Sequence, residues 1–225
     1  MKCVSQDVDK LDVAGLDDLC RAYLDKNDYG GCIYEICHVG SSPVCSSFSR
    51  ADSSNKNRGC AYRDHRHPER PPLAVSKSGS KEKIALAVSA DKSVLHLIEL
   101  LLGVCSKYED CTYHLENPNG GLQYRPYMVR LLGSPICVDY CSYGHWYQKK
   151  TNFWTNVDWS PCGNTGNGRC NNGECKMGPK KSKGRFWHTY ALGQCSRRKR
   201  GGRGQKARRI MVPGLLHQEM IRSMI

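Results

Sequence analysis

The chain has 225 residues, 34 Lys and Arg against 21 Asp and Glu, a formal net charge of +13 and a mean hydropathy of −0.59. Its longest apolar stretch is too short and too interrupted to span a bilayer, and no HExxH, GxSxG or GxxxxGK pattern occurs, which argues against the commonest hydrolytic and phosphate-loop chemistries. The positive charge is local: residues 176–209 hold thirteen Lys or Arg and no acid, and without them the remaining 21 basic residues equal the 21 acidic ones. A charge concentrated in that way argues for a polyanionic partner.

From the N-terminus, residues 1–24 are polar, with Asp7, Asp9, Asp12, Asp17 and Asp18, and lack the apolar segment of a secretory signal. A short acidic helix is expected over 13–24. Cys3, Cys20, Cys32, Cys37, Cys45 and Cys60 form a first group of six cysteines, placing a cysteine-rich lobe at 1–63. Residues 64–83, rich in His, Pro, Ser and Gly, read as a linker.

A second lobe is expected at 84–195. It opens with an amphipathic helix over 94–104, with Val94, Leu97, Ile98, Leu101 and Cys105 on one face. Aromatic and polar residues then alternate through Tyr108, Tyr113, Tyr124, Tyr127, Tyr140, Tyr143, Trp146, Tyr147, Phe153, Trp154 and Trp159, with a turn at Asn117-Pro118-Asn119-Gly120, which predicts short antiparallel strands. Cys105, Cys111, Cys137, Cys141, Cys162, Cys170, Cys175 and Cys195 make a second, even group of eight. Fourteen cysteines beside only three Phe and four Trp imply a sparse core held by cross-links, and hence an oxidising compartment. Six and eight cysteines leave about 15 and 105 pairings open. Between Cys162 and Cys175 the Gly-rich and Asn-Gly pairs suit turns with positive φ.

The cationic stretch begins within the second lobe at Lys176, and 196–225 carries its remainder and a final apolar segment from Ile210. The anion-binding candidates are Lys176, Lys180, Lys181, Lys183, Arg185, Arg197, Arg198, Lys199, Arg200, Arg203, Lys206, Arg208 and Arg209. Arg197-Arg198-Lys199-Arg200 also has the form of a multibasic cleavage site. His38, His65, His67, His96, His114, His145, His188 and His217 are scattered, so no catalytic residue is assigned.

Cys137-Val138-Asp139-Tyr140-Cys141, the aromatic run to Trp159, Cys162, the stretch Gly168-Arg169-Cys170-Asn171-Asn172-Gly173-Glu174-Cys175 and the cationic tail together resemble the tick salivary basic-tail family of secreted proteins, over roughly 105–209. The resemblance implies a secreted, non-enzymatic saliva protein that modulates host haemostasis or complement by binding clotting or complement proteins or anionic surfaces. The expectation is a small disulfide-rich fold, mainly β and loop with one or two short helices, in two lobes plus a disordered cationic tail. It would act as a monomer on glycosaminoglycan or anionic phospholipid, without cofactor, metal or nucleic acid, and selectivity for a protein target would come from the aromatic face of the second lobe. The alternative is an intracellular zinc-stabilised nucleic-acid-binding protein. There Cys137 and Cys141 with His145, and Cys170 and Cys175 with Cys162, have roughly the spacing of zinc ligands, and Arg200-Gly201-Gly202-Arg203-Gly204 looks like part of an RGG tail.

Overall fold

A computed structural model describes residues 11–26, 36–43, 45, 48, 81–145, 148–171, 175, 179–182, 185–188 and 214–223. In chain order the elements are α1 (Val13–Lys26), β1 (His38–Ser41), α2 (Lys81–Lys107), β2 (Thr112–Pro118), α3 (Pro126–Leu132), β3 (Ile136–Asp139), β4 (Lys150–Thr155), β5 (Pro179–Ser182), β6 (Arg185–His188) and α4 (Gly214–Arg222). β1–β4 form one mixed sheet in the order β1-β2-β4-β3, and β5–β6 a separate two-stranded one.

The expected helix at 94–104 is the C-terminal half of a 27-residue helix, α2. Two adjacent stripes of it are buried. Val94, Leu97, Ile98 and Leu101 pack with Phe48, Tyr113, Leu115, Leu122, Met128 and Trp154, while Leu100 and Val104 meet Cys111 and the α1 residues Val13 and Leu16. Recurrence at three and four residues puts such positions on one side of a helix. The turn expected at 117–120 is not a hairpin: Asn117 and Pro118 still belong to β2, and the antiparallel partner β4 follows only after α3 and β3, with Leu115 opposite Trp154 and Pro118 opposite Thr151.

Alternation along β4 gives the sheet two buried faces. Trp154 joins the cluster under α2, whereas its neighbour Phe153 packs with Val138, Tyr140, Tyr143, Trp159 and the α4 residues Leu216 and Met220. The apolar segment that ends the sequence therefore closes the second face of the sheet. Fully burying a large apolar side chain stabilises by roughly 1.5–3 kcal/mol, so these two clusters carry much of the stability that the sequence assigns to cross-links.

β1 pairs in parallel with β2, His38 opposite Thr112 through Ser41 opposite Leu115, and Phe48 lies in the α2 cluster. Residues on both sides of the expected 64–83 linker thus share one core and one sheet. Among the described residues no helix is long and apolar enough to cross a membrane.

Two expectations are corrected. The described part of the body is a mixed α/β arrangement with a small four-stranded sheet; it is not disulfide-rich, because no disulfide joins Cys20, Cys37, Cys45, Cys105, Cys111, Cys137, Cys141, Cys162, Cys170 and Cys175. Cysteine spacing shows which sulfurs the turns bring near one another, but a bond needs about 2.05 Å between them. Cys3, Cys32, Cys60 and Cys195 lie outside the described residues. The second correction concerns the tail: its first half is not wholly irregular, since β5 and β6 pair with Lys180 opposite Trp187 and Lys181 opposite Phe186.

Candidate functional site

Two carboxylates, Asp139 buried and Glu219 half-buried, organise the end of the sheet that carries the cysteine-rich loop. Asp139, the last residue of β3, is 2% exposed. Its Oδ2 accepts hydrogen bonds from the Cys170 backbone N–H at 2.9 Å and from Arg169 Nε at 3.2 Å, and its Oδ1 accepts one from Gln148 Nε2 at 3.2 Å. The Asp139 N–H in turn donates to the Gly168 carbonyl at 2.9 Å. Gly168 has φ +66°, and a Cβ there would lie 2.7 Å from Pro161 Cβ and 2.9 Å from the Tyr143 hydroxyl. The positive φ expected from the glycine pairs is therefore present, and the loop is pressed against β3 where only glycine fits.

Glu219 of α4 does the same from the other side. Its Oε1 accepts from the Cys162 N–H (2.9 Å), Tyr143 hydroxyl (3.1 Å) and Trp159 Nε1 (3.2 Å), and its Oε2 from the Gly163 N–H (3.0 Å). Burial alone would raise the Glu219 pKa, but these four donors outweigh it and hold the group below the ordinary carboxylate value. A folded pKa below the unfolded one means that the stabilisation is complete above the unfolded value and is lost as pH falls through the folded value. Docking of α4 should accordingly weaken below roughly pH 4.3. Trp159 fluorescence should report the change, and Glu219→Gln should remove that acid-dependent phase.

Within this frame three cysteines meet. Cys141 lies in the 3-10 turn that comes after β3 (Tyr140–Tyr143), Cys170 ends the Gly-rich loop and Cys175 stands five residues on. Their Sγ atoms all lie within 4.8 Å of one another, with Cys141 buried and the other two half-buried. Burial raises the Cys141 thiol pKa well above its ordinary value, helped by a hydrogen bond with Cys170, and burial is also the main reason that Cys170 is pushed up to about 11. Among the described residues this is the one group of three His, Cys, Asp or Glu donors close enough to share an ion.

A second sulfur pair lies under α1. Cys105 and Cys111 are hydrogen-bonded, and Cys111 is pushed up to about 12, first by burial and then by Cys105 and Cys37. Cys162 is exposed and directs its thiol to the Ser160 carbonyl, and Cys137 accepts a hydrogen bond from Asn119. The zinc-ligand groupings suggested by spacing alone are therefore rearranged in space: Cys141 joins Cys170 and Cys175.

Other expected site residues fall differently. Lys180, Lys181 and Arg185 lie on the β5–β6 hairpin, while Lys176, Lys183, Arg197, Arg198, Lys199, Arg200, Arg203, Lys206, Arg208 and Arg209 lie outside the described residues. Most of the described aromatic residues expected to form a contact face are core: Tyr113, Tyr140, Tyr143, Phe153, Trp154 and Trp159 are buried, Tyr108 and Tyr127 are half-buried, Tyr124 is exposed, and Trp146 and Tyr147 lie outside the described residues. Alternation along a strand marks a buried face as readily as a binding face, and here the hydrophobic effect claims it.

Two groupings have no counterpart in the sequence reading. His38 Nε2 and His114 Nδ1 are 2.8 Å apart on neighbouring strands, with the rings stacked. Glu116 is 4% exposed and accepts from Lys149 Nζ (2.8 Å), the Tyr140 hydroxyl (3.1 Å) and the Ser42 hydroxyl (2.6 Å). A lone acid between Leu115 and Asn117 in a strand-like run is the one sequence signal for that site. The histidine pair leaves none, since its members are 76 residues apart and meet only through the β1–β2 pairing. No protein-family model matches the chain, and neither does any curated protein.

Proposed function

We propose that this chain is a secreted, non-enzymatic binding protein whose cationic stretch at 176–209 holds it on anionic surfaces, glycosaminoglycan or anionic phospholipid, while its folded body engages a host clotting or complement protein. The observation that carries this reading is the isolation of the charge, thirteen basic residues without one acid. Four acids of the described body have a cation of that body as a partner: Asp17 pairs with Lys107, Asp91 with Arg125, Glu116 with Lys149 and Asp139 with Arg169.

Near an anionic membrane each basic residue adds roughly 1 kcal/mol, so four or five engaged residues give roughly 4–5 kcal/mol before screening. Such binding tethers without selecting a protein target, and it weakens steeply with salt.

Because α4 lies beyond the cationic stretch and packs into the core, truncation at 176 would remove core residues along with the charge. The sharper experiment replaces Arg197, Arg198, Lys199, Arg200, Arg203, Lys206, Arg208 and Arg209 with Gln. Losing two or three engaged cations should weaken capture by phosphatidylserine vesicles or immobilised heparin by roughly 30- to 150-fold at low salt. Undiminished retention would refute the tether, and stronger retention on single-stranded RNA than on either surface would favour the nucleic-acid alternative.

A further inference from the structure

Three sulfurs converging on one point, with no disulfide between them, is an arrangement that sulfur pairing does not require, since a disulfide uses two. Cys141 reaches it from the turn after β3, and Cys170 and Cys175 from the end of the Gly-rich loop and five residues on, with all Sγ atoms within 4.8 Å of one another. A tetrahedral zinc ion with Zn–S near 2.3 Å holds its sulfurs about 3.8 Å apart, so each S···S distance needs to shorten by at most about 1 Å. Side-chain rotation of the two half-buried members can supply much of that adjustment.

The surroundings are built to hold such a set. The Cys170 N–H is fixed to Asp139 Oδ2 at 2.9 Å, and Arg169 Nε binds the same oxygen at 3.2 Å. Asp139 is thereby committed to the loop, and it orients a ligand-bearing residue in the manner of the outer-sphere partners that metal sites depend on. Gly168, with φ +66° and no room for a Cβ, seats the loop against β3 two residues before Cys170. Sulfur donors select soft or borderline cations such as zinc over calcium or magnesium.

We propose that Cys141, Cys170 and Cys175 bind one zinc ion as three thiolate ligands of a tetrahedral site, with water in the fourth position. Each S–Zn bond forms as the thiol releases its proton to solvent, so three protons leave and no electrons move. The bound ion ties the Gly-rich loop and the root of the cationic stretch to the end of β3. This site does not depend on the polyanion reading, and either can fail without the other.

The test uses the full chain, reduced, stripped with chelator and titrated with Zn(II) against a chromophoric chelator, then with Co(II). One ion per chain is expected, with a tetrahedral Co(II) spectrum and a thiolate-to-metal charge-transfer band. Cys175→Ser should weaken binding by at least the roughly 10- to 100-fold that losing an outer-sphere partner costs. Cys175→His keeps a ligand atom and should hold the ion with a weaker charge-transfer band, while Cys45→Ser, at an exposed thiol, should change nothing. Circular dichroism of each variant separates lost binding from lost folding. The proposal is overturned by an octahedral Co(II) spectrum, by binding that survives in folded Cys170→Ser and Cys175→Ser, by loss of the ion in folded Cys111→Ser alone, or by a covalent Cys141–Cys170 link in the natively purified chain.

Discussion

Replacing Glu116 with alanine should destabilise the protein by about 3–5 kcal/mol, the cost of stranding one member of a buried ion pair. Lys149 is 9% exposed, and its Nζ lies 2.8 Å from Glu116 Oε1 and 4.6 Å from the centre of the Tyr140 ring. The Tyr140 and Ser42 hydroxyls lose their acceptor in the same variant. Against a total stability of about 5–15 kcal/mol for an ordinary domain, that loss leaves the fold near its limit. The double variant Glu116→Leu with Lys149→Met removes both charges and should recover most of the deficit, because two apolar residues of similar volume need no pairing. Urea midpoints at constant slope measure both effects; a single variant within about 1 kcal/mol of the parent would show that Lys149 finds another partner or reaches solvent.

The second large effect is at Trp154, where substitution by alanine should cost about 3–5 kcal/mol. The indole is 1% exposed and pairs across the sheet with Leu115 beneath α2. Its Nε1 also donates to the Gly133 carbonyl at 3.2 Å, where Gly133 closes α3 with φ +71°. The cavity would thus open between α2 and the sheet while the end of α3 loses a fixed contact. Trp154→Phe separates the two contributions, since it keeps most of the apolar volume and drops the N–H; it should lose clearly less than the alanine variant. Equal losses in the two variants would assign the whole effect to the hydrogen bond.

Short-range chemistry decides the features that are legible in the sequence. Val94, Leu97, Ile98 and Leu101 mark a buried stripe because helical spacing repeats within a turn, and the strand β2 ends at Pro118 as the Pro and Gly at 118–120 suggest locally. Gly163, Gly166 and Gly168 take positive φ as their neighbours suggest. The start of α2 at Lys81 is less legible, since Lys81-Glu82-Lys83 comes after linker-like composition and only packing further along commits it to the helix. Pairing of β1 with β2 joins His38 to Thr112, and no local pattern announces a parallel ladder across so many residues.

The candidate sites divide in the same way. Cys170 and Cys175 are neighbours in sequence, but their meeting with Cys141 depends on β3 and on the Asp139 contacts that press the loop against it. Glu219 reaches Cys162 and Gly163 from 57 and 56 residues away, as the one acid in an apolar terminal segment. The aromatic residues suggest a contact surface because a strand pattern reports alternation without saying which side meets another layer. Here Phe153 and Trp154 face opposite layers and both are covered.

Leu216 and Met220 of α4 lie in the same cluster as Val138 and Phe153, so the polypeptide returns to the body after the basic residues. A protease that cuts at Arg197–Arg200 would therefore not shed the C-terminal portion. It would leave a nicked, two-piece molecule that migrates as one species under native conditions and separates into two only in denaturant, with the fragment bearing Arg203 to Arg209 still riding on the sheet through its terminal helix.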